Sequence, residues 1–231
     1  MTSSPSPQDE PMPLPDDVLE RARRLSTTLL SDAMESAGTM DHEIKPIGSG
    51  MTMVGPAVTV ELESGDNLFL HAVISMGKAG FVLVADGKGY MAKAYLGELI
   101  ARAAKKAGFA GIVIDGAARD RIEMVRLGLP VFARGFVPSG PSKNGPGKIN
   151  VPIVCAGVTV HPGDLVMGDD NGVVVVPRDR IEQVLAKAEK KASYEQARRQ
   201  QIEAGQIAPP WLEESMRPYR AQSTEERGRK G

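Results

Sequence analysis

The sequence has few of the features that mark secreted, membrane or nucleic-acid-binding proteins. Its one cysteine, Cys155, excludes an internal disulfide, and the thiol in VPIVCAGV is interpreted as a small buried hydrophobic side chain in a reducing compartment. No segment reaches the roughly 18 apolar residues of a membrane-spanning helix. The 28 basic and 29 acidic side chains give a formal net charge of −1, so no overall field attracts nucleic acid or anionic lipid. We therefore expect a cytoplasmic protein without a nucleic-acid or membrane partner.

The chain is predicted to form one domain between two loosely structured ends. Residues 1–17 contain five prolines and no apolar run, which is typical of a disordered lead rather than of a signal peptide. Residues 18–204 carry the hydrophobic patterns of a single α/β domain. Residues 205–231, which include Pro209, Pro210 and Trp211, are predicted to be a C-terminal extension.

The order of the predicted elements indicates the fold class. Two helices, separated by a cap at Ser26 or Thr27, precede an alternating strand at 57–62 and a helix-like stretch. The runs FVLVAD (81–86) and GIVIDG (111–116) are short, apolar and bounded by glycine, as strands covered on both faces are. Three β-like runs and a charged helix from about 178 to 204 follow. The prediction is a layered α/β sandwich with a mixed central sheet, a strand-rich second half and a long C-terminal helix.

The spacing between Glu98 and Arg119 brings charged residues together. A helix from Glu98 to about residue 107 rises roughly 15 Å, at about 1.5 Å per residue. The following strand, from 111 to 115, returns about 16 Å at roughly 3.3 Å per residue. Glu98 is therefore expected beside Arg119 and Asp120, while Asp120 and Glu123 lie three residues apart on one helical face.

This arrangement predicts an anion site next to a cation site. The backbone N–H groups at the helix start, on Gly97, Glu98, Leu99 and Ile100, are expected to hold a carboxylate. A carboxylate cluster beside them is repulsive unless a hard cation such as Mg²⁺ or Mn²⁺ is present. The alternative is ordinary surface charge, with Glu98 as a favourable first-turn acid and Arg119 and Glu123 as an i, i+4 surface pair.

Several motifs resemble one family. They are DGAARD (115–120), PVFARG (130–135), VTVHPGDLVMGDDNGVVVVP (158–177), and an acid followed after twenty residues by Arg-Asp and, two residues later, by another acid. Together they resemble the class II 4-hydroxy-4-methyl-2-oxoglutarate and 4-carboxy-4-hydroxy-2-oxoadipate aldolases and the proteins similar to regulator of ribonuclease E activity A. The resemblance covers roughly residues 25–200. It implies an α/β sandwich that assembles as a homotrimer or homohexamer, with sites between subunits.

The resemblance also implies residue roles. Asp120 would anchor Mg²⁺ or Mn²⁺, Glu98 and Glu123 would act largely through metal-bound waters, and Arg119 would bind the substrate's keto oxygen or carboxylate. Asp32 and Glu195, from the first and last helical regions, would reach the site of a neighbouring subunit. One departure is Glu98, because these aldolases commonly carry aspartate there.

The reaction that the resemblance implies is retro-aldol cleavage by residues 18–204. A 4-hydroxy-2-oxo di- or tricarboxylic acid would give pyruvate and a second carbonyl acid, with oxaloacetate decarboxylation as a side activity. Two alternatives stay open: an imine mechanism on Lys88 or Lys93, and a ring-shaped protein that binds and inhibits a ribonuclease. His71 is interpreted as a helix packing residue.

Overall fold

The computed structural model describes residues 11–219, so most of the predicted lead and the end of the predicted extension lie outside the described residues. Leu14 is buried, and the first helix begins at Asp16. The chain divides into two compact units. The first ends at Glu189, and the second begins at Lys190. This boundary lies inside the last helix, earlier than the boundary predicted at 204. Each unit is described by itself.

The secondary structure follows the predicted order. The helices are α1 (Asp16–Arg23), α2 (Thr27–Ala33), α3 (Leu68–Met76), α4 (Glu98–Lys106), α5 (Arg121–Leu127) and α6 (Ile181–Glu203). The strands are β1 (Lys45–Pro46), β2 (Met53–Leu62), β3 (Val82–Leu96), β4 (Gly111–Ala118), β5 (Val131–Phe136), β6 (Gly147–Ile149), β7 (Ile153–Cys155), β8 (Val158–Val160), β9 (Leu165–Asp169) and β10 (Gly172–Val176). Ser26 caps α2, since its hydroxyl accepts a hydrogen bond from the N–H of Leu29. None of the helices in residues 11–219 is long and apolar enough to cross a bilayer.

The strands form the predicted mixed sheet. Its order is β1-β5-β4-β3-β2-β9-β10, and β6 adds to β2. Strands β2, β3, β4 and β5 pair in parallel, whereas β9, β10, β1 and β6 join antiparallel. Strands β7 and β8 make a separate antiparallel pair. The parallel centre fits the apolar runs of β3 and β4, because such strands are covered on both faces.

Alternate residues of the central strands belong to two different cores. Val58, Leu83 and Ile112 face the core formed with α3 and α4. Their strand neighbours, such as Val82 and Val113, face a second core that contains β7, β8 and β10. Cys155 is fully buried in this second core, which confirms its predicted role as a packing residue. The period of two residues along each strand thus builds both layers.

Strand β3 is longer than predicted and ends at Leu96, directly before Gly97. It continues past Asp86 through DGKGYMAKAYL to Leu96, with irregular pairing to β4. Lys88 and Gly89 have positive φ angles of 57° and 66°, which bends this extension. Near its end, the buried Tyr95 hydroxyl donates to the carbonyl of Gly87 (2.7 Å) and accepts from the N–H of Gly65 (2.9 Å). Burial raises the pKa of Tyr95 to about 12, so the phenol remains a donor.

We predict that Tyr95→Phe lowers the free energy of unfolding by about 1–3 kcal/mol, because two buried backbone groups lose their partner. Denaturant unfolding followed by circular dichroism measures this. Tyr194→Phe is the control, because Tyr194 is 52% exposed. Equal stability of the two variants would show that the Tyr95 hydroxyl does not fix the end of β3.

Candidate active-site cleft

The site forms where the chain leaves two neighbouring parallel strands. Leu96 at the end of β3 is paired with Ala118 at the end of β4, and the N–H of Arg119 donates to the Leu96 carbonyl over 3.0 Å. The residues that follow, Gly97 and Asp120, therefore meet. The spacing argument predicted this return of the chain, because the rise of α4 and the length of β4 nearly cancel.

Asp120 connects the start of α4 to the start of α5. One carboxylate oxygen, Oδ2, accepts the N–H of Glu98 over 3.0 Å and lies 3.8 Å from the Nε of Arg119. The backbone of Asp120 is left-handed, with φ 56° and ψ 44°, a conformation that aspartate tolerates better than most residues. The other oxygen, Oδ1, accepts no hydrogen bond from residues 11–219. Asp120 thus has one oxygen that fixes its position and one that is unbonded within the described residues.

Gly97 makes this contact possible. A Cβ atom at this position would lie 2.3 Å from Asp120 Oδ2 and 2.9 Å from Arg119 Cγ. The φ angle of Gly97 is −145°, so the reason for glycine here is close approach rather than a strained backbone. Every larger residue would separate the two strand ends.

These residues line a cleft of about 590 Å³, within the usual size range of small-molecule sites. All seven residues predicted for the substrate, the metal and the Arg-Asp motif lie on it: Gly97, Glu98, Leu99, Ile100, Arg119, Asp120 and Glu123. The cleft also includes residues that were not predicted to belong to the site, among them Asn67, His71, Pro141 and Lys143. The loop between β5 and β6 reaches Arg119, since a Cβ on Gly140 would lie 3.0 Å from its Nη1.

The start of α4 offers fewer N–H donors than expected. The N–H of Glu98 is bonded to Asp120, so it is not available to a ligand in this structure. The N–H groups of Gly97, Leu99 and Ile100 donate to no other group of the described residues. Three unbonded donors near the positive end of the helix dipole, in place of the four predicted, thus belong to residues that line the cleft.

The three carboxylates of the cleft have different surroundings. Glu98 pairs with Arg102, one turn later on α4, through contacts of 2.7 and 2.9 Å. Glu123 is exposed and has no ion-pair partner within residues 11–219. Arg119 lies beside Asp120, and its pairing with Glu123, the surface-charge alternative, is not seen. The guanidinium of Arg119 remains available to a ligand.

A divalent ion fits this donor set if it binds one protein carboxylate directly and takes water as its other ligands. Within residues 11–219, no three His, Cys, Asp or Glu side chains are grouped so that they could hold an ion together. Mg²⁺ commonly keeps several waters and takes only one or two protein carboxylates. The unbonded oxygen of Asp120 fits that requirement, whereas a cage of protein ligands does not. Glu98 and Glu123 would then act through water.

The two motifs DGAARD and PVFARG are joined by an ion pair between Asp115 and Arg134. The guanidinium of Arg134 contacts Asp115 and Glu43 and lies 3.2 Å from an oxygen of Asp41. The second oxygen of Asp115 accepts the N–H of Ala156 over 2.7 Å. Although burial alone would lower it, the pKa of Arg134 is raised by its hydrogen bond to Asp115. This pair ties the middle of β4 to the middle of β5.

Asp32 is placed elsewhere than on the cleft lining, and Glu195 is described within its own unit. Asp32 borders a separate depression of about 250 Å³, together with Thr27, His42 and Lys45. Glu195 belongs to the C-terminal unit, where its carboxylate lies 3.2 Å from Arg199 on the same helix. The predicted role of both acids at a neighbour's site stays a prediction.

The interpretation of His71 as a packing residue is wrong. Its side chain is exposed on α3 and lines the cleft, because it lies one turn after Asn67 at the helix start. The sequence signal was present, since a polar residue within LFLHAVISM marks the solvent side of an otherwise apolar helix.

The chain belongs to the RraA-like family, described as Aldolase/RraA, whose model matches residues 27–175. It is 39% identical over 203 residues to a protein of Halalkalibacterium halodurans named "Putative 4-hydroxy-4-methyl-2-oxoglutarate aldolase", covering 87% of this chain and 97% of that one. The RNA-processing inhibitor RraA from Thermus thermophilis matches with a TM-score of 0.61 and 32% identity over 66% of this chain and 92% of that one. Streptomyces coelicolor RraAS2, an RNase ES inhibitor family member, matches with a TM-score of 0.74 and 28% identity over 81% and 98%.

We predict that Gly97→Ala displaces the Asp120 carboxylate from the Glu98 N–H, because the new methyl group would overlap Oδ2. A crystal structure of the variant and its thermal unfolding measure this. The control is Gly135→Ala, whose methyl group would meet only the flexible end of Met91. An unchanged Asp120 position in Gly97→Ala would contradict the close-approach argument.

Proposed function

We propose that the protein is a divalent-metal-dependent pyruvate aldolase, a carbon–carbon lyase. Its substrate is a 4-hydroxy-2-oxo di- or tricarboxylic acid, which it cleaves to pyruvate and a second carbonyl acid. Oxaloacetate decarboxylation is proposed as a side activity, because it passes through the same enolate. The similarity to the Halalkalibacterium protein supports the aldolase class.

The observation that carries the proposal is that three kinds of ligand-binding group line one cleft. Arg119 offers a guanidinium, Asp120 offers an unbonded carboxylate oxygen, and the start of α4 offers backbone N–H groups. A 2-oxo acid presents a carboxylate next to a carbonyl oxygen. The N–H groups suit the carboxylate, and the planar fork of Arg119 suits the carbonyl oxygen beside it.

Cleavage needs stabilisation of one developing negative charge. When the 4-hydroxyl loses its proton, the C3–C4 bond breaks, and its electron pair moves into the pyruvate fragment as an enolate. Arg119 donates hydrogen bonds to the 2-oxo oxygen, where this charge collects. Protonation of the enolate at C3 then gives pyruvate.

Asp120 is the residue that would hold Mg²⁺ or Mn²⁺, with Glu98 and Glu123 positioned to orient water around it. When bound, the ion supplies positive charge near the 2-oxo oxygen and offsets the repulsion among the three carboxylates. The imine alternative has less support. Lys88 lies 3.9 Å from Glu63, and neither Lys88 nor Lys93 is on the cleft lining.

Asp32 and Glu195 are proposed to complete the site from a neighbouring subunit of a homotrimer or homohexamer. The 4-hydroxyl proton must be taken by a base, and the carboxylates of the cleft itself are assigned to the metal. A carboxylate from a neighbour, acting through water, would supply this step.

A second candidate function is inhibition of a ribonuclease by a ring-shaped oligomer. The similarity to the Thermus RNA-processing inhibitor supports it. The two functions differ in what they need from the cleft, because inhibition by surface binding does not require Asp120 or Arg119. A ribonuclease assay with wild-type protein and Asp120→Asn separates them.

We predict that pyruvate release from a panel of 4-hydroxy-2-oxo acids requires Mg²⁺ or Mn²⁺ and falls at least roughly a hundredfold in Asp120→Asn. The amide can still accept the Glu98 N–H, so the loss would reflect the missing charge. Asp170→Asn is the matched control, since Asp170 also accepts one backbone N–H, that of Gly50, and is exposed elsewhere. Turnover that continues in excess EDTA would exclude the metal mechanism, and borohydride trapping would then test Lys88 and Lys93.

We predict that Glu195→Gln and Asp120→Asn subunits complement each other when they are refolded together. A mixed interface would combine an intact Asp120 with an intact Glu195, so some pyruvate release returns. Native mass spectrometry verifies that mixed oligomers have formed. If such oligomers are as inactive as their parents, the two acids do not act across an interface.

A further inference from the structure

Arg121 directly follows Asp120, but its side chain does not line the cleft. Its guanidinium instead makes two contacts with the rest of the fold. The Nε donates to the carbonyl of Ile47 over 2.8 Å, and Cζ lies 5.2 Å from the centre of the Phe136 ring, the geometry of a cation–π contact. The side chain of Arg121 is therefore bound to the protein rather than left for a ligand.

Both contact partners of Arg121 belong to the sheet or adjoin it. Ile47 follows β1 directly, is 2% exposed, and donates its N–H to the carbonyl of Val131 at the start of β5 over 2.9 Å. Phe136 is the last residue of β5 and is paired with Ala118 at the end of β4. Arg121 thus joins the first residue of α5 to the strand that lies next to β4.

Helix α5 has few other contacts that could hold its start. It is seven residues long, and Met124 is its one buried residue. A helix this short is not stable without tertiary contacts. Ile122 and Glu123, in the first turn, are exposed. Among the side chains of residues 121–123, Arg121 is therefore the one that makes a hydrogen bond with another element of the described chain.

Asp120 depends on the start of α5, because its own side chain is held by a single contact. The carboxylate is 43% exposed and accepts one hydrogen bond within residues 11–219, from the N–H of Glu98. Its left-handed backbone is a costly conformation for a residue other than glycine, and it persists where the flanking residues are fixed. On one side, the N–H of Arg119 is bonded to the carbonyl of Leu96. On the other side, the fixed residue is Arg121.

We propose that Arg121 is a positioning residue. By anchoring the start of α5 to the sheet, it holds the left-handed turn at Asp120 and keeps the carboxylate at the N–H of Glu98. That this carboxylate serves a divalent ion rests on the proposed function, whereas the positioning itself does not. The two guanidinium groups that flank Asp120 then have different roles, because Arg119 lines the cleft and Arg121 supports the carboxylate from outside it.

Hydrogen exchange at the Glu98 amide, resolved at single residues by mass spectrometry, tests this role. Glu98 is the first residue of α4, so its N–H has no partner within the helix, and its protection reports the bond to Asp120. Arg121→Met should speed this exchange roughly tenfold, because a hydrogen bond and a cation–π contact are both lost. The amide of Ala104, buried within the same helix, should exchange as in wild type. A variant that is merely less stable would expose both amides.

Two variants of Phe136 separate anchoring from charge. Phe136→Leu removes the ring but leaves the charge of Arg121, so it should also speed the exchange at Glu98. Phe136→Tyr keeps the ring and should retain the wild-type rate. Arg126→Met is the matched control, because it removes an exposed arginine of the same helix that bonds to no other side chain among residues 11–219.

Binding of Mn²⁺, titrated by electron paramagnetic resonance, relates the turn to the proposed chemistry. Arg121→Met should bind the ion more weakly by a similar factor, since the ion loses a fixed ligand, and Arg126→Met should bind it as wild type does.

An unchanged Glu98 exchange rate in Arg121→Met would overturn the positioning role. So would an equal acceleration at Ala104, or a wild-type rate in Phe136→Leu. If the exchange at Glu98 responds as expected but the wild-type protein neither binds Mn²⁺ nor releases pyruvate, the positioning role stands and the aldolase proposal fails.

Discussion

The site depends on the contact between two strand ends at Gly97 and Asp120. Strands β3 and β4 are parallel neighbours, so their carboxyl ends lie at one edge of the sheet, where ligands of open α/β sheets commonly bind. Because Gly97 has no side chain, Asp120 can reach the N–H of Glu98 and fix the start of α4. The same bond aligns the helix N-terminus, a carboxylate and Arg119 along one cleft. This single contact therefore depends both on the glycine at position 97 and on the register of β3 and β4, and it sets the geometry of the cleft.

Around this contact the structure separates charges that hold the fold from charges left for a ligand. Asp115 and Arg134 tie β4 to β5, and Asp66 fixes the loop that carries Lys143. These carboxylates are buried and are satisfied by several donors. Arg119 and one oxygen of Asp120 remain open at the surface of the cleft. Fixed pairs of this kind stabilise the strands from which Arg119 and Asp120 follow, and preorganised electrostatic stabilisation would need such a rigid support.

The sequence predicted what depends on chain length and hydrophobic period, and missed what depends on long-range side-chain contacts. The mixed sheet, Ser26 as a cap and the return of the chain from Glu98 to Asp120 follow from periodicity and spacing. The extension of β3 beyond Asp86 was missed because its irregular pairing with β4 hides the strand pattern. Lys143 was missed because its loop, more than seventy residues further along the chain, is brought to the start of α3 by Asp66, and no local pattern encodes this. His71 was missed although its polar side chain interrupts an otherwise apolar helix.

The burial of Cys155 makes the single thiol a natural reporter of unfolding. Burial raises its pKa well above the usual range, and its Sγ faces the carbonyl of Ala85 on β3. A thiol reagent needs the thiolate and direct access, so labelling can proceed only when the second core opens. The rate of labelling under native conditions would therefore measure the free energy of opening the β7–β8 layer from the sheet. No cysteine has to be introduced or removed for that measurement.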